Sequence, residues 1–112
     1  MPADETLSGV TDRPATVDSA DRYPATANLD ESARHRLLSA ARRRHALDVF
    51  EIRSNPVTLR ALAAAIAARE DVDPADEAER RSIAIALHHV HLPMLADYGV
   101  VEYDSEEKTI WA

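Results

Sequence analysis

Cysteine is absent from this chain, which excludes both a disulfide framework and a thiolate metal site. Glycine occurs only as Gly9 and Gly99, so there is no glycine-rich loop to cradle a phosphate. Lysine occurs once, as Lys108, and the other twelve of the thirteen basic residues are arginine. No run approaches the roughly 18 apolar residues that a membrane-spanning helix needs. Met1-Pro2-Ala3-Asp4 lacks the basic, apolar character of a secretory signal. Nowhere do a nucleophile, a base and an acid stand in a recognisable pattern. These absences lead us to expect a soluble cytoplasmic protein that is not an enzyme and uses no cofactor.

The 112 residues are enough for one domain, and 46% of them are hydrophobic. A net charge of −7 opposes simple nucleic-acid binding, because phosphate contacts need a cationic surface. That charge is unevenly spread. Residues 1–31 carry −5, residues 32–53 carry +4, and residues 93–112 carry −4. Excess acid, scarce lysine and abundant alanine suggest a halophilic protein adapted to molar salt. There carboxylates keep a surface hydrated, and screening acts over only about 3 Å.

Residues 1–31 show no apolar periodicity and mix Pro, Thr, Ala, Ser and Asp, a composition expected to stay a disordered acidic tail. The domain is then 32–112. A helical stretch covers about Glu31 to Ile52, with Ser39 as a candidate N-cap dividing it. Asn55-Pro56 stops it, and Val57 is a one- or two-residue strand. Thr58 caps a second helix carrying Leu59, Leu62, Ala63 and Ile66 at helical spacing. A third helix runs over about 76–92 with Ile83, Leu87 and Val90 inward, and Pro93 is expected to kink or break it near His89 to Leu92. Gly99 stops the chain, and Val100 to Tyr103 and Lys108 to Trp111 form a hairpin. The fold class is mainly α with a small β-hairpin. Its order of helix, helix, short strand, helix and hairpin is that of a winged helix-turn-helix with a three-helix core.

The stretch Leu87-His88-His89-Val90-His91-Leu92-Pro93, followed by Leu95-Ala96-Asp97 and Gly99-Val100-Val101, resembles a family of small haloarchaeal winged-helix domain proteins. The resemblance covers about residues 32–112. It implies a winged helix with Leu47, Phe50, Leu59, Leu62, Ile66, Ile83, Leu87, Val90, Leu95 and Val101 in the core. It also implies a regulatory role without supplying binding residues.

Candidate contacts therefore rest on helix geometry and charge. At about 100° per residue, Arg81, Ile85, His88 and Leu92 turn outward on the third helix, with Ser82 and His89 to one side and Arg80 at the boundary. In a DNA reader Arg81 and His88 lie toward base edges, Arg80 and Ser82 lie toward phosphate, and His89 is a further candidate contact beside them. Arg42, Arg43 and Arg44 are the densest positive charge and are either a phosphate clamp or partners in ion pairs such as Arg44 with Asp48. The turn from Ser105 to Lys108 is acidic apart from Lys108, unlike a wing lying on phosphate. His88 and His91 are three apart, but two imidazoles make an incomplete metal site, and no metal is expected.

Two readings remain open. One is a sequence-specific transcriptional regulator that binds double-stranded DNA, as a homodimer, with residues 76–92 as its recognition helix. The other is a protein-interaction module whose partner docks on Ile85 and Leu92.

Overall fold

A computed structural model describes residues 22–112. Over that range the chain is mainly helical, with a small three-stranded antiparallel sheet. Helix α1 spans Glu31–Leu38 and α2 spans Ala41–Ile52. Strand β1, Val57–Thr58, leads into α3, Leu59–Arg69. Helix α4, Glu77–Ala86, continues through a π-helical turn, Leu87–His91, into α5, Leu92–Asp97. Strands β2, Glu102–Asp104, and β3, Thr109–Trp111, close the chain. β3 is central in the sheet: it pairs with β2 and also with β1, where Val57 faces Ile110.

Two buried residues lie ahead of the expected boundary at residue 31. Tyr23 is only 7% exposed and Thr26 is fully buried, with the Thr26 hydroxyl donating to the Tyr23 carbonyl at 2.8 Å. Arg34 reaches back from α1 to the carbonyls of Thr26 and Leu29. One aromatic anchor and locally satisfied polar groups give this polar stretch the burial that its composition hides. The expectation of disorder for residues 1–21 falls outside the described residues.

The helical stretch does divide at Ser39, though not through an N-cap. The Ser39 hydroxyl donates backward to the Arg36 carbonyl at 2.8 Å, and Ala40 stands at the N-cap of α2 without a side-chain bond. The caps of the next two helices follow the usual chemistry. Thr58 accepts from the Ala61 amide and Asp76 from the Glu79 amide, both at 3.0 Å. Gly99, at φ 76°, ends α5. The Gly99 amide donates to the Ala96 carbonyl and the Val100 amide to the Leu95 carbonyl, which is a Schellman motif. Asp71, at φ 60°, closes α3 in the same way without glycine.

Pro93 neither breaks nor sharply divides the third helical segment. Its missing N–H would leave an acceptor one turn back without a donor. The chain widens there by one residue, and the Leu92 amide donates to the Leu87 carbonyl five residues earlier. The extra residue rotates everything after Leu87. Val90, expected in the core, is 54% exposed, whereas Leu92, expected on the surface, is fully buried. The inward stripe is thus Ile83, Leu87, Leu92 and Leu95, all at 0% exposure. Two leucines bury more apolar surface than the Val90 and Met94 pair that an unbroken α-helix would present. Phe50 is half-buried at the rim of the core, while Leu47, Leu59, Leu62, Ile66 and Val101 lie inside it.

Candidate nucleic-acid interface

The beginning of α3, the outer face of α4 with its π turn, and the turn between β2 and β3 meet around an open groove of about 750 Å³. Three local devices hold these walls together. The Leu59 amide donates to the Lys108 carbonyl at 2.9 Å, tying the base of the β2–β3 turn to the first residue of α3. Asp104 Oδ1 accepts from the amides of Glu106 and Glu107 at 3.0 Å each, which folds that turn back on itself. His88 Nδ1 lies 2.7 Å from the Tyr103 hydroxyl, bridging the π turn to β2.

Burial first, and Asp104 second, push the Tyr103 phenol above its ordinary pKa. The hydroxyl therefore keeps its proton and can donate it to the imidazole. The rings of His88 and His89 meet edge to face at 4.7 Å between centroids, so one tyrosine orients a pair of histidines.

Four cations line the groove: Arg60, Arg80, Arg81 and Lys108. Arg80 is held by the Pro74 carbonyl and lies 3.7 Å from Glu77. Arg60, Arg81 and Lys108 are exposed and form no ion pair among the described residues. The opposing charges are Glu77 and Glu107. Lys108 sits at φ 53°, a left-handed backbone that a β-turn more often gives to glycine or asparagine. Ala63, Ala64, Ala84 and Ile85 give the groove an apolar floor.

Of the residues singled out from the sequence, Arg80, Arg81, His88, His89 and Lys108 thus come together. Ser82 is exposed on α4 but does not line the groove. Arg60 escaped sequence reasoning, although a signal was present: it is the only charged residue between Thr58 and Ala68.

The Arg42-Arg43-Arg44 cluster does not line the groove. Arg43 is 7% exposed and donates to the carbonyls of Leu37 at 2.6 Å and Arg36 at 3.1 Å. Arg44 donates to the Leu38 carbonyl at 2.5 Å. These are the last three carbonyls of α1, which no amide of that helix can satisfy. Cations at the start of α2 are unfavourable for its own dipole, but they lie against the negative end of α1. Arg42 forms a two-pronged pair with Glu70 at 3.2 and 3.3 Å, joining α2 to the end of α3. Asp48, an expected partner of Arg44, instead faces Arg22 and Arg69. A phosphate clamp at these positions would have to abandon those partners.

His88 and His91 do not share a face. His91 turns to the opposite partner, with Nδ1 at 3.2 Å from Arg43. Burial, then the charges of Arg43 and Arg42, lower its pKa, and Glu70 opposes them. Among the described residues no group of three or more His, Cys, Asp or Glu side chains is placed to hold a metal ion. None of the described helices is long and apolar enough to cross a membrane.

Residues 35–111, from the middle of α1 to the last residue of β3, match the model of a family described as a domain of unknown function, DUF7344. The chain belongs to that family. The DUF7344 match takes in every wall of the groove and the whole Arg43–His91 junction, and it leaves Tyr23 and Thr26 outside. No curated protein and no solved structure matches the chain.

Proposed function

We propose that this DUF7344 domain is a winged helix that binds duplex DNA through the groove between α3, α4 and the β2–β3 turn, and that it serves as a transcriptional regulator. One observation carries the reading. A chain of net charge −7 gathers Arg60, Arg80, Arg81 and Lys108 on a single groove, against two carboxylates there. Desolvation is a poor reason to cluster exposed like charges, whereas a polyanion is a good one. In this reading α4 is the recognition helix and the β2–β3 turn is the wing. Arg81, His88 and His89 face base edges, and Arg60, Arg80 and Lys108 face phosphates. The acidic, lysine-poor composition fits a haloarchaeal cytoplasm, where binding must work with phosphate attraction largely screened.

The test is selection from a randomised duplex library and from genomic fragments in molar KCl, with an Arg81→Ala, Lys108→Ala variant beside the parent. The parent is expected to enrich a shared motif and the variant to lose it. In a titration over salt, removing one phosphate contact at Lys108 should flatten the logarithmic slope by about 0.9. If a folded parent enriches no motif more strongly than the double substitution does, the reading fails. A two-fold symmetric motif would indicate binding as a pair of copies. Docking of a protein partner on Ile85 and Leu92 loses half its surface, because Leu92 is buried.

A further inference from the structure

Ile85 is 52% exposed on the groove-lining face of α4 and takes no part in the core, which Ile83 of α4 and Leu87 of the π turn serve. Helix stability does not explain it, since a β-branched side chain is a weaker helix former than the alanines and arginines around it. We propose that Ile85 reads the 5-methyl group of a thymine in the major groove, as the apolar element between two hydrogen-bonding positions. The proposal rests on the DNA-binding reading above.

Three features of the site support it. Arg81 lies four residues before Ile85, about one α-helical turn away, His89 follows across the π turn, and all three line the groove. Four residues of α-helix rise about 6 Å, close to two base-pair steps, so Arg81 and Ile85 can address bases about two steps apart. Ala84, Ala63 and Ala64 beside Ile85 are small, which allows a base edge to come close. A β-branched side chain on a helix is also nearly confined to one rotamer, so its methyls stand at a fixed place. In the major groove the only apolar group on any base pair is the thymine methyl. A polar residue would serve at position 85 if only phosphate or water lay opposite.

The motif selected by the parent is resynthesised as duplexes carrying deoxyuridine in place of each thymidine in turn, which removes one methyl and nothing else. Parent binding should fall about fourfold at one thymine, the worth of one buried methyl. Ile85→Ala should bind the thymine and uracil duplexes alike, with the parent's dependence on salt. Ile85 is exposed, so the variant is expected to fold, and its circular dichroism checks this.

Equal parent affinity for both duplexes at every position would overturn the proposal while leaving DNA binding intact. So would a thymine preference that survives in Ile85→Ala, or a motif without thymine. Failure of the parent to bind any duplex more tightly than the Arg81→Ala, Lys108→Ala protein would overturn the DNA reading itself and this inference with it.

Discussion

Arg43 illustrates how a cationic triplet that reads as a surface clamp becomes the most buried charged group of the fold. Its guanidinium meets the carbonyls of Arg36 and Leu37, lies 3.5 Å from Ser39 Oγ, and touches His91. Charge-assisted bonds to buried acceptors are strong, and removing this donor leaves the Leu37 carbonyl unpaired, while the Arg36 carbonyl keeps the Ser39 hydroxyl. Arg43→Ala is therefore expected to cost about 3 kcal/mol in urea unfolding. Arg43→Lys should recover little, because a point charge cannot serve two carbonyls in a planar fork. A loss under about 0.5 kcal/mol, the range of ordinary surface changes, would contradict this role.

His91 adds a pH dependence to the same junction. Its folded pKa lies below the ordinary 6.5, through burial and the nearby arginines. The unfolded chain therefore binds a proton more readily than the folded one between those two pKa values. Stability should be complete above pH 6.5 and decline as the pH falls through 6.5 toward the folded pKa. His91→Gln should flatten that part of the profile relative to the parent. An unchanged difference between pH 7.5 and 5.5 would show that His91 is not linked to folding.

At the scale of elements, the decisive feature is the π turn before Pro93. Ile83, Leu87, Val90 and Met94 make a sound α-helical stripe on paper, and nothing in that periodicity announces an extra residue. Pro93 announced a disturbance but not its form, because a missing amide can be met by a break, a kink or a wider turn. The packing of Leu92 and Leu95 chose the wider turn. Leu92→Ala should therefore destabilise the fold by about 2–5 kcal/mol, and Val90→Ala by no more than about 0.5 kcal/mol. An unbroken α-helix would give the reverse order, so one pair of unfolding curves decides between them. The same turn separates His91, which faces Arg43, from His88 and His89, which face the groove.

On the scale of the whole molecule, charge is partitioned by role. Arg42, Arg43 and Arg44 hold helices together, while Arg60, Arg81 and Lys108 remain exposed in one groove. The chain's net charge of −7 should make the fold depend on salt. Melting temperature is expected to rise by roughly 10 °C or more between dilute buffer and molar KCl as carboxylate repulsion is screened. A transition that is equally sharp and high in dilute buffer would remove the case for salt adaptation.

The Thr58 cap, the helix start near Asp76, the Gly99 stop and the short strands were legible in the sequence because each depends on a few adjacent residues, whereas the expected Ser39 cap did not form. Thr58 and Asp76 cap by their own hydroxyl and carboxylate, and Gly99 by its own freedom at φ 76°. Arg80, Arg81, His88, His89 and Lys108, five of the nine candidates, also come together in one groove, because four lie on one helical segment and the fifth at one hairpin turn. What needed the tertiary structure was every assignment depending on residues distant in the chain. Arg43 is structural because the last carbonyls of α1 and His91 lie beside it, and Arg60 joins the groove because the Leu59 amide binds the Lys108 carbonyl. Tyr23 and Thr26 belong to the fold only because α1, α2 and their neighbours offer them a surface. Local chemistry is written in consecutive residues, whereas packing is a competition among all of them, and only the folded chain shows its outcome.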